Sequence, residues 1–186
     1  MTKAYKQVLY AHREIETQRL ILRPLDVEKD AADLLELFAD KQSAYFNFTS
    51  PKETVDEVKL FLLNVFFKPY GVWAVVEKES GKCIGTVDLV LNQIEKNDAV
   101  TIGYGLVPNK RGQGYATEMV KTIVQICFEK IELTRIGANV NPENKESCKL
   151  LERCGFTKEG VIRKYQRATD GELVDMAVYG VIPGEV

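Results

Sequence analysis

Leu106-Val107-Pro108-Asn109-Lys110-Arg111-Gly112-Gln113-Gly114-Tyr115-Ala116-Thr117 is the most informative stretch of the chain. An apolar strand ends at Pro108, two glycines make a turn, and a long helical pattern opens at Ala116. The unpaired N–H groups of such a turn, helped by the helix dipole, favour an anion. Glycine lets the backbone approach a phosphate closely, and Arg111 adds a cation beside it. Two known phosphate loops do not fit. The nucleoside-triphosphate loop needs Lys and Ser or Thr after its last glycine, and Tyr115 and Ala116 stand there. The dinucleotide fingerprint G-x-G-x-x-G meets Thr117 at its third glycine, and it belongs in the first turn of a parallel sheet.

Outward from the turn, the period of the sequence changes from two to about 3.6 and back. Upstream, Val72–Val76, Cys83–Val90 and Ala99–Val107 read as strands joined by turns at Ser80-Gly81-Lys82 and Asn97-Asp98, an antiparallel meander. Earlier still, Leu20–Leu25 is a short strand ended by proline, and Asp30–Phe38 carries apolar residues at helical spacing. Thr54 with Glu57 predicts a capping box for a helix carrying Val55, Val58, Phe61, Leu62 and Val65, ending before Pro69-Tyr70-Gly71. Downstream, the helix from Ala116 to Ile131 is followed by a strand at Thr134–Val140. Next come a short helix through Ser147 and Cys154 closed by Gly155, and two strands about 156–167 and 173–181 around Asp170-Gly171. The strand–helix–strand unit over 100–140 predicts a locally parallel pair inside a mostly antiparallel sheet.

Composition narrows the function. A chain of 186 residues is one domain, and 45% hydrophobic with 28% charged residues is ordinary for a globular protein. No apolar run reaches the roughly 20 residues of a membrane helix, and the N-terminus lacks a secretory signal. A net charge of −2 gives no electrostatic footprint for nucleic acid. The single histidine, His12, leaves little room for a histidine triad, and it reads as a surface residue ahead of the domain. Cys83, Cys127, Cys148 and Cys154 show no paired zinc spacing and read as free thiols in a reducing cytoplasm.

Arg111-Gly112-Gln113-Gly114-Tyr115-Ala116 matches the pattern [QR]-x-x-G-x-[GA], and here the chain resembles the GCN5-related N-acetyltransferase (GNAT) superfamily. Its Rim-type branch acetylates ribosomal-protein N-termini and other amines. Four further segments resemble that branch in the right order: Glu16–Leu25, Gly114–Glu118, Asn141–Ser147 (its N-x-x-S segment) and Gly155–Gly160 (its G-F-x-x-E-G segment).

The resemblance implies a mixed α/β fold, with a mostly antiparallel sheet, a splayed central parallel pair and flanking helices. The expected domain is 14–186, behind an extension of residues 1–13. It implies an acetyl-coenzyme A cosubstrate, no metal, and an amine acceptor, either a protein N-terminus or a small molecule. Neither nucleic acid nor membrane is an expected partner, and the chain is expected as a cytoplasmic monomer or homodimer. Cofactor contacts are expected from Leu106, Val107, Arg111, Gly112, Gln113, Gly114, Tyr115, Ala116 and Asn144. Backbone N–H groups near Leu106 and Val107 would serve the pantetheine arm and the thioester.

Ser147 is the candidate proton donor to the departing thiolate, or a small polar residue on the first turn of its helix. Asn144 caps that helix or bonds the pantetheine, or does both. The general base departs from the family: Thr101, Asn139 and Gln166 stand where relatives carry Glu. Asp88 is the remaining carboxylate, set against a solvated strand face or a water chain. Trp73 lines the acceptor pocket or the core. Arg163, Lys164 and Arg167 meet an acidic acceptor or protect a strand edge. The competing readings are a coenzyme A-binding module without catalysis and, from another class, a nicotinamide-binding protein.

Overall fold

The computed structural model describes residues 4–66, 71–91 and 97–185. Eight strands form one sheet in the order β1-β2-β3-β4-β5-β6-β8-β7: β1 Ile15–Glu16, β2 Leu20–Pro24, β3 Val72–Glu77, β4 Cys83–Val90, β5 Ala99–Leu106, β6 Arg135–Val140, β7 Thr157–Arg167 and β8 Leu173–Val181. Every neighbouring pair is antiparallel except β5 and β6. The helices are α1 Ala4–Ala11, α2 Val27–Ala39, α3 Lys41–Phe46, α4 Val55–Val65, α5 Tyr115–Glu129 and α6 Lys145–Arg153.

The parallel pair is short. Ala99, Val100 and Thr101 align with Arg135, Ile136 and Gly137, and the pairing then stops. Beyond it β5 keeps β4 as its neighbour and β6 keeps β8, so the sheet splays in its middle. This is the parallel pair expected over 100–140.

Side-chain alternation sets what lies on each face. A Cβ on Gly105 would sit 3.3 Å from Leu37, which puts α2 over that face. Tyr104 points the other way, and its hydroxyl reaches Ser147 on α6. α5 packs beside α6 and against β5, burying Met119, Val120, Ile123, Val124 and Cys127 as one stripe.

Caps account for the helix boundaries. Thr54 and Glu57 form the capping box predicted for α4. Its expected stop at Pro69-Tyr70 lies outside the described residues. Asp26 accepts from the amides of Glu28 and Lys29, so α2 begins at Val27, ahead of the start expected at Asp30, and Val27 packs on the core. Asp30 is buried within α2 and takes a bidentate contact from Arg23 at 2.6 and 2.8 Å, which ties α2 to β2.

Three features depart from expectation. The first residues are not held apart from the domain: α1 buries Leu9 fully in the core, and Trp73 donates its Nε1–H to the His12 carbonyl at 3.2 Å. The strand read at Leu20–Leu25 has a further partner before it, Ile15–Glu16, in a tight hairpin with the Thr17 amide bonded to the Leu20 carbonyl. α3 has no counterpart in the periodicity. It is six residues long, and Asp40 caps it through the Ser43 amide and hydroxyl.

Candidate active site

The turn between β5 and α5 takes its shape from two glycines. Gly112 has φ +72° and Gly114, the N-cap of α5, has φ +85°. A side chain is strained in that left-handed region, so both positions need glycine. The amides of Gly112, Gln113, Gly114, Tyr115, Ala116 and Thr117 donate to no carbonyl among the described residues; the first that does is Glu118, to Gly114. Six consecutive donors therefore sit at the positive end of a 15-residue helix.

The turn is fastened from three directions. The first fastening is Glu77, at the end of β3 and 2% exposed, which receives Lys110 Nζ on both oxygens at 2.7 Å, the Tyr115 hydroxyl at 2.6 Å and the Ser80 hydroxyl at 2.6 Å. Lys110 and Tyr115 bracket the glycine turn, so one carboxylate holds both ends. Hydrogen bonds from Lys110, Ser80 and Tyr115 carry the Glu77 pKa down to about 2.

The second fastening is Arg19. Its Nε donates to Glu118 at 2.7 Å, its Nη1 donates to the Gln113 carbonyl at 2.9 Å, and its guanidinium lies 4.2 Å from the Tyr115 ring centroid. The third is Arg111. It donates to the Leu106 carbonyl at 3.0 Å, to Asp40 at 2.9 Å and to the Ser43 hydroxyl at 2.7 Å. Burial works against the Asp40 charge, but the bonds from Ser43 and Arg111 bring its pKa below the usual carboxylate value. The Arg111 guanidinium is thus committed to α3, where the sequence suggested a cation facing an anion.

A cleft of about 1110 Å³ opens between the splayed strands and the glycine turn. Leu106, Arg111, Gly112, Gly114, Tyr115, Ala116, Asn144 and Ser147 line it, as expected of cofactor and catalytic residues. Val107, Gln113 and Asp88 do not. Val107 is buried, and its amide donates to the Ile84 carbonyl at 2.9 Å, so it has no N–H for a ligand. The Gln113 side chain turns back onto the Asn109 carbonyl at 2.8 Å. Asp88 lies over Gly103 on the α2 face of β5; a Cβ at 103 would come within 2.6 Å of its Oδ1.

The bond from Val107 to Ile84 also sorts the amides of β5. Successive residues point their polar groups to opposite sides of a strand. With Val107 facing β4, those of Tyr104 and Leu106, beyond the last bridge of the parallel pair, face the gap toward β6. Of the expected strand-edge donors, Leu106 is therefore placed to serve a ligand and Val107 is not.

On the far wall, Asn144 caps α6 by accepting the Ser147 amide at 3.1 Å while also lining the cleft. The Ser147 hydroxyl lies 2.7 Å from that of Tyr104. Asn139 lines the cleft and Gln166 sits on exposed β7, both without a carboxylate. Glu159 on β7 is ion-paired to Arg135 on β6, over Gly180 of the intervening β8. Trp73 is 1% exposed, which makes it core. Arg163, Lys164 and Arg167 lie on the exposed face of β7. All four cysteines are free, and burial pushes Cys83 and Cys127 up to about 12.

Sequence reasoning missed Glu77, Arg19, Asp40 and Tyr104. The one local signal was a carboxylate closing the apolar run Val72–Val76.

A glycine-turn anion site beside a splayed parallel pair, with a hydroxyl on the facing helix, is the arrangement of an acyl-coenzyme A-dependent transferase. The chain belongs to the GNAT acetyltransferases: residues 19–157 match the acetyltransferase (GNAT) domain. Among its relatives is the uncharacterized N-acetyltransferase p20 of Bacillus licheniformis, 33% identical over 174 residues, covering 91% of this chain and 96% of that one. The ribosomal protein uS5-alanine N-acetyltransferase of Escherichia coli is 29% identical over 166 residues, covering 81% of each chain. In fold the chain is similar to spermidine N-acetyltransferase from Vibrio cholerae, solved with CoA and spermine, at TM-score 0.74 and 23% identity, covering 91% of this chain and 98% of that one. The protein is an acyltransferase that moves an acetyl group to an amine, not a binding module without chemistry. Among the described residues, no helix is long and apolar enough to cross a membrane, and no cluster of side chains forms a metal site.

Proposed function

We propose that the cleft binds acetyl-coenzyme A and that the acceptor is the N-terminal amine of a protein. The observation that carries the cofactor reading is the run of six amides, Gly112 to Thr117, which find no carbonyl among the described residues, in a turn that lines the cleft through Gly112, Gly114, Tyr115, Ala116 and Thr117. A diphosphate supplies the acceptors those donors lack, at the helix end whose dipole favours its charge. The inward amides of Tyr104 and Leu106 suit the amide-bearing arm that follows and an oxygen gaining charge at the thioester. The similarity to the uS5-alanine enzyme favours a protein N-terminus over a small amine. Four free thiols fit a reducing compartment such as the cytoplasm.

In the reaction, the neutral amine attacks the acetyl carbon directly and the sulfur leaves. Ser147 is the hydroxyl for the departing sulfur. Asp88, across β5 on the α2 face, is the carboxylate for the amine proton, by way of water. Loss of the acidic shoulder of the pH–rate profile in Asp88→Asn supports that role; an intact shoulder dismisses it.

The function is tested by incubating the protein with acetyl-coenzyme A and a panel of amines while following free thiol. The panel holds peptides with free and blocked N-termini and a polyamine. Release with the free N-terminus alone is the expected result. Release with the polyamine alone assigns a small-molecule acceptor, and cofactor binding with no release across the panel overturns the reading.

A further inference from the structure

We propose that Tyr104 is a positioning residue that aims the Ser147 hydroxyl proton at the departing sulfur. The proposal rests on the reading of Ser147 given above.

The two hydroxyls are 2.7 Å apart, and one of them must donate. Among the described residues, the Tyr104 hydroxyl has no other partner. If Ser147 donated, its proton would be spent on the phenol and the Tyr104 proton would have no acceptor. If Tyr104 donates, both protons are placed: the phenol on Ser147 Oγ, and the serine proton toward the cleft that Ser147 lines. A thiolate accepts and cannot donate, so the second arrangement is the one a leaving sulfur selects.

Ser147 sits on the first turn of α6, its amide bonded to the Asn144 side chain, and the side-chain bond its hydroxyl makes is the one with Tyr104.

Burial raises the Tyr104 pKa, against the opposing hydrogen bond with Ser147, so the phenol keeps its proton. Ser147 therefore meets the sulfur as a hydrogen-bond donor and carries no net charge change. The step balances without an acid. The amine nitrogen bonds the acetyl carbon, the C–S bond breaks, and its electron pair stays on sulfur, held by the Ser147 O–H. The amine proton leaves through water to Asp88, and the thiolate, of ordinary pKa about 8.5, takes its proton from solvent.

The test is a double-mutant cycle of Tyr104→Phe and Ser147→Ala, reading kcat, KM and the dissociation constant of coenzyme A. Tyr104→Phe is expected to lower kcat about threefold to tenfold, the worth of one hydrogen bond, with both binding constants unchanged. On the Ser147→Ala background the same change is expected to alter kcat by less than about twofold, because the hydroxyl it aims is gone. Melting temperature checks folding, and Tyr104→Met, apolar and flexible, reads the same loss if the phenylalanine variant is unstable. Wild-type kcat in a folded Tyr104 variant, or losses that multiply in the double variant, overturns the proposal alone. No thiol release by the wild-type protein with any acceptor overturns the function beneath it, and this proposal with it.

Discussion

The turn after β5, in the middle of the sheet, and the hairpin of β7 and β8, at its edge, are built on opposite principles. The turn, from Lys110 to Tyr115, is fastened by Glu77, Arg19 and Asp40, side chains from three separate segments. The hairpin carries an eleven-residue edge strand exposed along its whole length, with Val161, Ile162 and Tyr165 open to solvent. Its register slips twice, and Lys164 sits at φ +50°. The difference separates what must be invariant from what is free to vary. Under the proposed function, the donors for a diphosphate are held before it arrives, and less ordering is left for binding to offset. The far edge has lighter fastenings, among them the Arg135–Glu159 pair and the bond from the Lys164 amide to Asp175.

The contrast is broken most severely at Glu77. Glu77→Ala leaves Lys110 and the Tyr115 hydroxyl without their shared acceptor at both ends of the turn. Unfolding free energy is expected to fall by about 2–3 kcal/mol, and affinity for coenzyme A with it, measured by denaturant titration and calorimetry. Acid separates the charge from the shape. A carboxyl whose pKa falls from about 4.5 unfolded to about 2 folded contributes stability that is complete above the higher value. That contribution is lost as the pH drops through this window, and Glu77→Gln is expected to flatten this limb of the stability curve.

Next in size is Ser147→Ala. It is expected to lower kcat by more than about tenfold with coenzyme A binding unchanged, because it touches the chemistry and not the turn. Arg111→Ala follows. It frees the turn from α3, and an expected rise of about threefold to tenfold in the coenzyme A dissociation constant measures what that fastening contributes. A value equal to wild type would mean that Glu77 and Arg19 hold the turn without it. The smallest effect is expected on the hairpin: Arg163→Ala should change stability by less than about 0.5 kcal/mol, because it alters an exposed side chain with no partner among the described residues. A larger loss would show that the edge is as constrained as the turn.

The same division governs what was legible in the sequence. The glycine turn, the Thr54 capping box, β4 and β8 are local patterns, written within a dozen residues, and local propensity reads them. Glu77 acts on Lys110 and Tyr115, 33 and 38 residues away, and Arg19 acts on Glu118, 99 residues away. No period in the sequence joins such pairs; only the fold brings them together. Asp40 was hidden because α3 is too short to show a period. Leu106 and Val107 look alike as sequence, yet strand alternation gives one amide to the cleft and the other to β4. Tyr104 became visible only when α6 placed Ser147 above it.

The three-residue pairing of β5 with β6 also bears on how long the protein lasts. A sheet that parts in its middle carries an unfinished edge indoors, where strands elsewhere have neighbours. Under the proposed function, the donor molecule lies along that edge and works as a missing strand. Mass action then stabilises the folded chain by about 2.7 kcal/mol when the donor stands at a hundred times its dissociation constant. The abundance of the enzyme is thereby tied to the supply of its own acetyl donor: when acetyl thioesters run low, the chain that spends them becomes easier to unfold and to degrade.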